Sequence, residues 1–263
     1  MNRSSLFSLL AATIALAQIV ASSDASDLRR PNVVMLIGDD IDRDTLGPWG
    51  GEAITPHLNQ LAAEGVKFNR CYANVAMCAP FRQELYSGRT PWRTGAMPNH
   101  SQSSPDTKSL PHYLQPLGYR VALLGKSHVG PQQAYPFEKL GDIPKREDAN
   151  PIALERAGNY IVEAKEAGEP FCLIIGSHDG HAPFHTHGDP SIYDAAKLTL
   201  PKDALDTPEY RHKLLGNFVE VTHLDKLLGG LRELIAEHEL TEDTLVIFCS
   251  EQGNQFPFSK WTC

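Results

Sequence analysis

Four short runs of apolar residues, rich in β-branched side chains, are spread along the chain. They cover residues 33–37, 121–124, 171–175 and 245–249. Short, continuous apolar runs are typical of parallel strands that are buried on both faces of a sheet. Because helical stretches lie between the runs, the pattern predicts an α/β fold with a mostly parallel central sheet flanked by helices.

Proline and glycine mark the predicted helices. One helix covers residues 55–65 and another covers residues 80–88, each with proline near its start and glycine at its end. Two longer helical stretches cover residues 151–168 and 208–240, and the second has an amphipathic pattern of Leu, Phe and Val. The segment 183–208, rich in Pro, Asp and Thr, is predicted to be a long active-site loop.

Each predicted strand ends in a polar cluster, although the clusters lie far apart in sequence. The carboxyl ends of parallel strands meet at one edge of a sheet, and ligands bind there in α/β proteins. We therefore expect four segments to come together at that edge: residues 39–40, 126–128, 178–187 and 251–252.

The bulk composition limits the class of protein. With 263 residues, 41% of them hydrophobic and 21% charged, the chain has the composition of a globular protein of one large or two small domains. Its net charge of −8 and isoelectric point near 5.7 argue against a nucleic-acid-binding protein, because that function needs a basic face for the phosphates. Nucleic acid is therefore not an expected partner.

Residues 1–25 have the pattern of a secretory signal peptide. Arg3 supplies positive charge, residues 6–21 form an apolar stretch, and Ala21 or Ala25 offers a small residue for cleavage. The alternative is a membrane anchor, but the apolar stretch is short for a bilayer span and contains polar residues. We expect a secreted or periplasmic protein, with no membrane association once the signal is removed.

The chain has five cysteines, at positions 71, 78, 172, 249 and 263. An odd number without a CxxC pair, in a chain of this length, does not indicate a disulfide framework. Cys172 and Cys249 lie in apolar runs and are most simply small core residues. Cys78 lies outside these runs and needs a different explanation.

Asp39 and Asp40 follow the first predicted strand directly. Neighbouring carboxylates just past a strand can share a hard divalent cation, and Glu251 and Gln252 could supply further oxygens to the same ion. The alternative, and the commoner role for such a pair of acids, is a cap or a turn.

Lys126 and His128 lie two residues apart in an extended segment, so both side chains would project to the same side and could contact one anion. A P-loop is the alternative for the segment beginning at Gly125. That motif requires a glycine five positions earlier, where this chain has Arg120.

Several histidines lie within residues 178–187. A zinc site is one alternative, but glycine and proline in this segment prevent a helix that would align the histidines. We favour His181 as an acid or hydrogen-bond donor, with the other histidines solvated or stacked. Lys260 has no motif of its own and by default would be solvated.

The most specific motif is Cys-Ala-Pro-Phe-Arg at residues 78–82. It resembles the recognition motif of the type I sulfatase family, within the alkaline-phosphatase-like superfamily, in which the cysteine is oxidised to formylglycine. Other segments are similar to that family in the same order along the chain, and residues 129–137 more weakly resemble its heparan N-sulfatase branch. These segments are residues 30–40, 55–68, 87–89, 125–130 and 244–248.

The resemblance implies an alkaline-phosphatase-like sulfatase fold in which residues 26–263 form the N-terminal catalytic domain. Members of the family continue well beyond the position of Lys260. We therefore expect the fold to be C-terminally incomplete, without the smaller C-terminal subdomain.

The resemblance also implies a hydrolase of sulfate esters or sulfamates, acting on a sulfated glycan or another sulfate ester. Cys78, as a formylglycine hydrate, would attack sulfur with one hydroxyl, and the second hydroxyl would then expel sulfate. Ca²⁺ would bind the nucleophile and a sulfate oxygen. Its ligands would be Asp39, Asp40, Cys78, Glu251 and Gln252.

The same resemblance assigns the remaining catalytic roles. Arg82 would orient the hydrate, while Lys126 and Lys260 would neutralise the sulfate oxygens. His128 would assist the hydrate hydroxyls, and His181 would protonate the leaving alcohol or amine. A formylglycine-generating or equivalent maturation enzyme would be a required partner.

The chain departs from the family pattern at two further points. Phe81 replaces a small residue inside the motif, and Glu251-Gln252 replaces Asp-Asn, which Ca²⁺ tolerates better than Mg²⁺ because its geometry is flexible. Two other functions stay open. One is a phosphonate or phosphodiester hydrolase of the same superfamily, and the other is a catalytically silent fragment that only binds sulfated glycan or metal.

Overall fold

A five-stranded sheet lies at the centre of the structure, a computed structural model that describes residues 30–184, 187–202, 204–257 and 260. Its order is β3-β2-β4-β1-β5, and every neighbouring pair of strands is parallel. The predicted α/β fold with a mostly parallel sheet is confirmed. The strands are β1 (Asn32–Gly38), β2 (Arg120–Gly125), β3 (Glu138–Lys139), β4 (Phe171–Gly176) and β5 (Thr244–Ser250).

Helices connect the strands, and proline stands in the first turn of several of them. Among the described residues, none of the helices combines the length and apolarity that a bilayer span requires. The predicted signal peptide lies outside the described residues. The helices are α1 (Pro56–Glu64), α2 (Cys78–Ser87), α3 (Pro91–Thr94), α4 (Leu110–Leu114), α5 (Ala149–Ala167) and α6 (Pro208–Glu237).

The two faces of the sheet are covered by different helices. Val34 and Leu36 of β1 belong to a core that includes side chains of α1, α5 and α6. Ile37 of β1 and Ile174 of β4 belong to a second core, which includes Tyr86 of α2. Because β2 and β4 are buried on both faces, their sequences are continuously apolar and do not alternate.

Backbone hydrogen bonds tie the strand ends together at the carboxyl edge. The amide of Asp39 donates to the carbonyl of Asp179 at 3.1 Å, and the amide of Ser177 donates to the carbonyl of Ile37 at 3.0 Å. The amide of Lys126 donates to the carbonyl of Gly176 at 2.9 Å. The predicted convergence of the polar clusters at one sheet edge is therefore observed.

Some element boundaries differ from the sequence prediction. Helix α2 begins at Cys78, two residues before Pro80, and α5 begins at Ala149, two residues before Pro151. Amides of the first helical turn have no acceptor within the helix, so proline is tolerated at any of these positions. Strand β3 was not predicted, because its two residues are exposed and carry no apolar pattern.

Candidate active site

Cys78 opens helix α2 and is 2% exposed. Its Sγ atom lies 3.2 Å from Lys260 Nζ, 3.7 Å from Asp40 Oδ1 and 3.8 Å from Gln252 Nε2. Burial raises the pKa of the Cys78 thiol, but a hydrogen bond with His181 and the charge of Lys126 bring it below its ordinary value. The structure thus places Cys78 among acids and cations that are far from it in sequence.

Acidic side chains surround Cys78 at the ends of β1 and β5. Asp39, Asp40, Glu251 and Cys78 each offer a ligand atom, and these atoms lie within 4.8 Å of one another. Asp40 adopts a left-handed φ of 56°, a conformation that is uncommon outside glycine and is enriched in Asp and Asn. The strand end is therefore shaped to turn two successive carboxylates toward one point.

Each of these carboxylates has a cationic partner. Asp39 pairs with Lys126, and Glu251 pairs with Arg82. Asp40 Oδ2 lies 2.6 Å from Lys260 Nζ. Buried charges need such partners, because an unpaired charge in the protein interior costs several kcal/mol. Cations and acids are therefore packed together beneath Cys78.

Three buried oxygens of the cluster accept no hydrogen bond within the described part of the chain: Asp39 Oδ1, Glu251 Oε2 and Gln252 Oε1. Oxygen atoms of this kind are the ligands that Ca²⁺ prefers. The residues present therefore fit a hard divalent cation.

The two acids at the base of the cluster have opposite pKa shifts. Burial would raise the pKa of Asp39, but the neighbouring Glu251 side chain and the charges of Lys126 and Arg82 hold it well below its ordinary value. Burial raises the pKa of Glu251 well above its ordinary value, and the Asp39 carboxylate adds to the rise. A cation bound between these two carboxylates would offset their mutual repulsion.

The two candidate histidines also differ in pKa. A hydrogen bond with Cys78 raises the pKa of His181, and the carboxylates of Asp39 and Asp40 add to this effect. Burial lowers the pKa of His128 to about 4, assisted by the charges of Lys126 and Arg82. Groups with pKa values pushed in opposite directions are suited to opposite roles in proton transfer.

The geometry of His181 fixes which ring nitrogen faces the site. Nδ1 lies 2.5 Å from the carbonyl oxygen of Ala182, and Nε2 lies 3.6 Å from Asp40 Oδ2. Because Nδ1 donates to the backbone, Nε2 is the nitrogen that faces Asp40 and Cys78. A cavity of about 450 Å³ opens beside this site and is lined by Lys126, His128 and His178.

The structure brings the sequence-predicted residues together, with differences in detail. Lys260 is 4% exposed, so the default expectation of a solvated side chain is wrong. The described histidines of this segment, His178, His181 and His187, contact three different acids. His178 bonds Asp142 at 3.0 Å. His187 is buried against Asp179 at 2.7 Å, and its ring packs edge-on against His223, so it is not solvated. His185 lies outside the described residues.

Several residues beside the site were not predicted. His100 Nδ1 lies 2.8 Å from His128 Nε2, and His223 Nδ1 lies 3.1 Å from Asp179. Lys145 and Glu220 contact the turn that carries His181. Only Glu220 had a signal in the sequence, because a glutamate between two valines on the apolar face of a predicted helix requires a buried partner.

The comparisons with known proteins agree with the geometry. A profile of the Sulfatase family matches residues 31–257. An ulvan-active sulfatase of Formosa agariphila is 28% identical over 85% of this chain and 45% of its own length. The human N-sulphoglucosamine sulphohydrolase is 27% identical over 88% of this chain and 52% of its own length.

A third relative has higher identity. The N-acetylgalactosamine-6-O-sulfatase of Bacteroides thetaiotaomicron is 33% identical, and the match covers 90% of this chain and 61% of that protein. The chain therefore spans about half the length of the first two relatives and somewhat more of the third.

Solved structures share the fold. The phosphonate monoester hydrolase of Agrobacterium radiobacter superposes with a TM-score of 0.76 at 17% identity, covering 88% of this chain and 66% of that one. A protein solved in complex with its substrate D-glucosamine-2-N,6-O-disulfate gives a TM-score of 0.64 at 19% identity, covering 85% and 66%. At such identities these matches show an alkaline-phosphatase-like fold and no more. The family profile spans most of the chain, and the chain belongs to the sulfatase family.

Proposed function

We propose that this protein hydrolyses sulfate esters or sulfamates, with residue 78 as the nucleophile. The observation that carries the proposal is the setting of Cys78, whose Sγ atom is buried among Lys260, Asp40 and Gln252. In this structure the sulfur atom stands where the oxygens of a formylglycine hydrate would lie. When Cys78 is converted to formylglycine, the hydrated aldehyde supplies the attacking oxygen and the hydroxyl that later releases sulfate.

We assign the divalent cation to Asp39, Asp40, Glu251, Gln252 and residue 78. Ca²⁺ suits this set because it accepts long and flexible ligands such as Glu and Gln. When bound, the cation supplies positive charge that polarises the sulfate and lowers the pKa of the nucleophile. The buried oxygens without hydrogen-bond donors support this assignment.

The cations of the site stabilise negative charge. Lys126 and Lys260 balance Asp39 and Asp40 in the structure, so both ammonium groups lie close to where a sulfate group would meet residue 78. Charge that builds on the sulfate oxygens in the transition state would be neutralised by these groups. Arg82, which also donates to the carbonyl of Lys126 at 2.7 Å, holds Glu251 and the Lys126 backbone in place and orients residue 78.

The histidines move protons. His181 has a raised pKa and faces residue 78 through Nε2, so it is suited to protonate the leaving alcohol or amine. His128 has a pKa of about 4 and is neutral at neutral pH, so it can accept a proton from the hydroxyls at residue 78. The opposite protonation states support the acid and base roles.

The names of the relatives point to sulfated sugars as the substrate class. They include an ulvan-active sulfatase, an N-sulphoglucosamine sulphohydrolase and an N-acetylgalactosamine-6-O-sulfatase. We therefore propose a sulfated glycan as the substrate and glycan degradation as the role. We further propose that residues 1–25 direct export to a periplasm or the exterior, and that residues 26–263 form the N-terminal catalytic domain.

The test combines mass spectrometry with turnover. The protein is coexpressed with a formylglycine-generating enzyme, and the tryptic peptide from Cys71 to Arg82 is measured for an aldehyde-reactive mass. Hydrolysis of an aryl sulfate is then compared with that of an aryl phosphodiester, with Cys78→Ala as the matched control. We expect the modified peptide and Cys78-dependent sulfate release. Faster turnover of the phosphodiester would overturn the sulfatase assignment, and turnover by Cys78→Ala would overturn the nucleophile.

A further inference from the structure

The turn that carries His181 is held by two charged side chains from distant parts of the chain. Glu220, on α6, accepts a hydrogen bond from the amide of Gly180 at 2.9 Å through Oε2. Lys145, in the loop before α5, donates to the carbonyl of His181 and, at 2.8 Å, to the carbonyl of Pro183. Lys145 Nζ also lies 3.2 Å from Glu220 Oε2, so the two side chains form one unit around the turn.

The burial of this pair shows that it is more than a surface ion pair. The Glu220 side chain is 0% exposed and the Lys145 side chain is 18% exposed. Glu220 lies between Val219 and Val221, which belong to the hydrophobic interior. A carboxylate at such a position is costly unless it is paired and hydrogen-bonded, and the turn and Lys145 supply these partners.

The turn itself has little freedom to adjust. Gly180 has a φ of +95°, and a Cβ atom there would lie 2.3 Å from the carbonyl oxygen of Asp39. The amide of Ala182 donates to Gln255 Oε1 at 2.8 Å. The turn is therefore packed against the strand end that carries the proposed metal ligands, and Lys145 and Glu220 bind its backbone as well.

The orientation of the His181 ring depends on this backbone. Its Nδ1 atom donates to the carbonyl of Ala182, which lies between the two carbonyls that Lys145 binds. If these carbonyls rotate, the acceptor for Nδ1 moves and Nε2 no longer faces residue 78. A misplacement of about 1 Å at a reacting group can cost about a hundredfold in rate.

We propose that Lys145 and Glu220 are positioning residues that hold the backbone of residues 180–183 so that His181 Nε2 faces the leaving group. The contacts of Lys145 are with backbone carbonyls and Glu220, so it acts through His181 and not on the substrate. This inference rests on the proposed function, in which His181 is the general acid. Lys145 and Glu220, which belong to no sequence motif, are thereby added to the residues of the proposed active site.

The leaving group provides the test. A general acid matters for a poor leaving group, such as an alkyl alcohol or a sugar hydroxyl, and matters little for a good one, such as 4-nitrophenol. The kcat and KM of the formylglycine-containing protein are measured on both types of sulfate ester. The variants are Lys145→Met, Lys145→Arg, Glu220→Gln and His181→Ala, and the formylglycine content of each is measured by mass spectrometry.

We expect Lys145→Met to lower kcat on the alkyl sulfate by about tenfold to a hundredfold, with a small change in KM and a small change on the 4-nitrophenyl ester. Turnover of the 4-nitrophenyl ester shows that the variant is folded and modified. Lys145→Arg retains donors for the carbonyls and should recover part of the loss. Glu220→Gln retains an acceptor for the Gly180 amide and should lose less than Lys145→Met.

A matched control is Lys197→Met. Lys197 forms an exposed ion pair with Asp194 at 3.0 Å, and its substitution should leave both rates unchanged. In the His181→Ala background, Lys145→Met should add no further loss on the alkyl sulfate, because the two residues act as one unit.

Failure of the proposed function and failure of the positioning role give different results. If the unsubstituted, modified protein releases no sulfate from either ester, the proposed function fails. If it is active but Lys145→Met slows both esters equally, or slows neither, the positioning role is overturned. An additive loss in the double variant would also overturn it.

Discussion

Arg82 and Glu251 form an ion pair in which both side chains are 0% exposed. Arg82 lies on α2, four residues after Cys78, and Glu251 follows β5. The pair therefore ties the helix that carries the proposed nucleophile to the strand end that carries proposed metal ligands. Burial lowers the pKa of Arg82, but the Glu251 charge opposes this effect. The net pKa lies above its ordinary value, and the guanidinium stays charged.

The first prediction concerns this pair. Replacing Arg82 by Ala leaves the buried Glu251 without its cation and should lower the free energy of unfolding by about 3–5 kcal/mol. Arg82→Lys should recover little of this loss, because Lys lacks the planar guanidinium that bonds both Glu251 and the Lys126 carbonyl. Urea denaturation measures the change.

The matched control for this prediction is Arg43→Ala. Arg43 pairs with Asp44 at 2.8 Å, with side chains 59% and 78% exposed, and should contribute no more than about 1 kcal/mol. Equal losses in the two alanine variants would show that burial of the Arg82 pair has no energetic consequence.

The second prediction concerns metal binding. Ca²⁺ should raise the Tm of the protein, because a ligand that binds only the native state stabilises it, by about 2.7 kcal/mol at a hundred times Kd. Asp40→Asn should abolish most of this shift, and Mg²⁺ should produce a smaller one. Asp44→Asn, at an exposed acid outside the cluster, should leave the shift intact. A Tm that does not respond to Ca²⁺ would contradict the metal assignment.

The third prediction concerns the pH dependence of stability at His187. The hydrogen bond with Asp179 raises the pKa of His187 above its ordinary value of 6.5. A group whose folded-state pKa is raised stabilises the protein below its unfolded pKa and loses this effect as pH rises through the folded value. His187→Gln should therefore be more destabilising at about pH 5.5 than at about pH 8.5.

Thermal denaturation in the presence of Ca²⁺ at the two pH values measures this effect. His212→Gln, at an exposed position on α6, is the control and should change the Tm little at either pH. An equal loss for His187→Gln at both pH values would show that the imidazolium form is not the stabilising one.

The fourth prediction has the opposite sign and concerns Asp179. Burial would raise its pKa, but hydrogen bonds from His187 and His223 lower the pKa to about 2. A carboxylate with a depressed folded-state pKa stabilises above its unfolded value of 3.8 and loses this effect as pH falls toward the folded value. Asp179→Asn should therefore lower the free energy of unfolding most at neutral pH and least in acid. Urea denaturation across this pH range measures the change. A loss of unfolding free energy that does not change with pH would show that the Asp179 carboxylate is not the stabilising form.

The fifth prediction compares two glycines that have similar positive φ angles. Gly180→Ala and Gly50→Ala both place a side chain at a positive φ, +95° and +91°, but only Gly180 has a backbone atom in the way. Gly50→Ala should cost about 1–2 kcal/mol from backbone strain alone. Gly180→Ala should cost about 1–3 kcal/mol more, because the Asp39 carbonyl must move. Equal losses would show that the turn can shift away from β1.

Much of this architecture follows from the sequence. Parallel strands place their carboxyl ends at one edge, so the acids after β1 and the lysine after β2 had to meet once the strands were identified. The pairing of each carboxylate with a particular cation could not be predicted. Asp40 and its partner Lys260, for example, are separated by most of the chain. Such partners depend on loop conformation, which carries no periodic pattern.

The buried polar residues behind the site were missed for a related reason. Lys145 lies in a loop without a motif, and His223 lies on a helix where a lone histidine indicates nothing specific. Their roles become visible only in the structure, where Lys145 binds the carbonyls of His181 and Pro183 and His223 binds Asp179. The helix pattern did predict that α6 has an apolar face, but not that Glu220 on that face binds the Gly180 amide.

If Cys78 is converted to formylglycine, as proposed, its burial sets the order in which modification and folding must occur. With 2% of its surface exposed, the thiol is closed to a second enzyme once α2, β1 and β5 have assembled. We expect oxidation of Cys78 to compete with folding, and a chain that folds first to be trapped as an inactive thiol form. The yield of active protein would then depend on how slowly the newly synthesised chain folds, a property of its kinetics and not of its final structure.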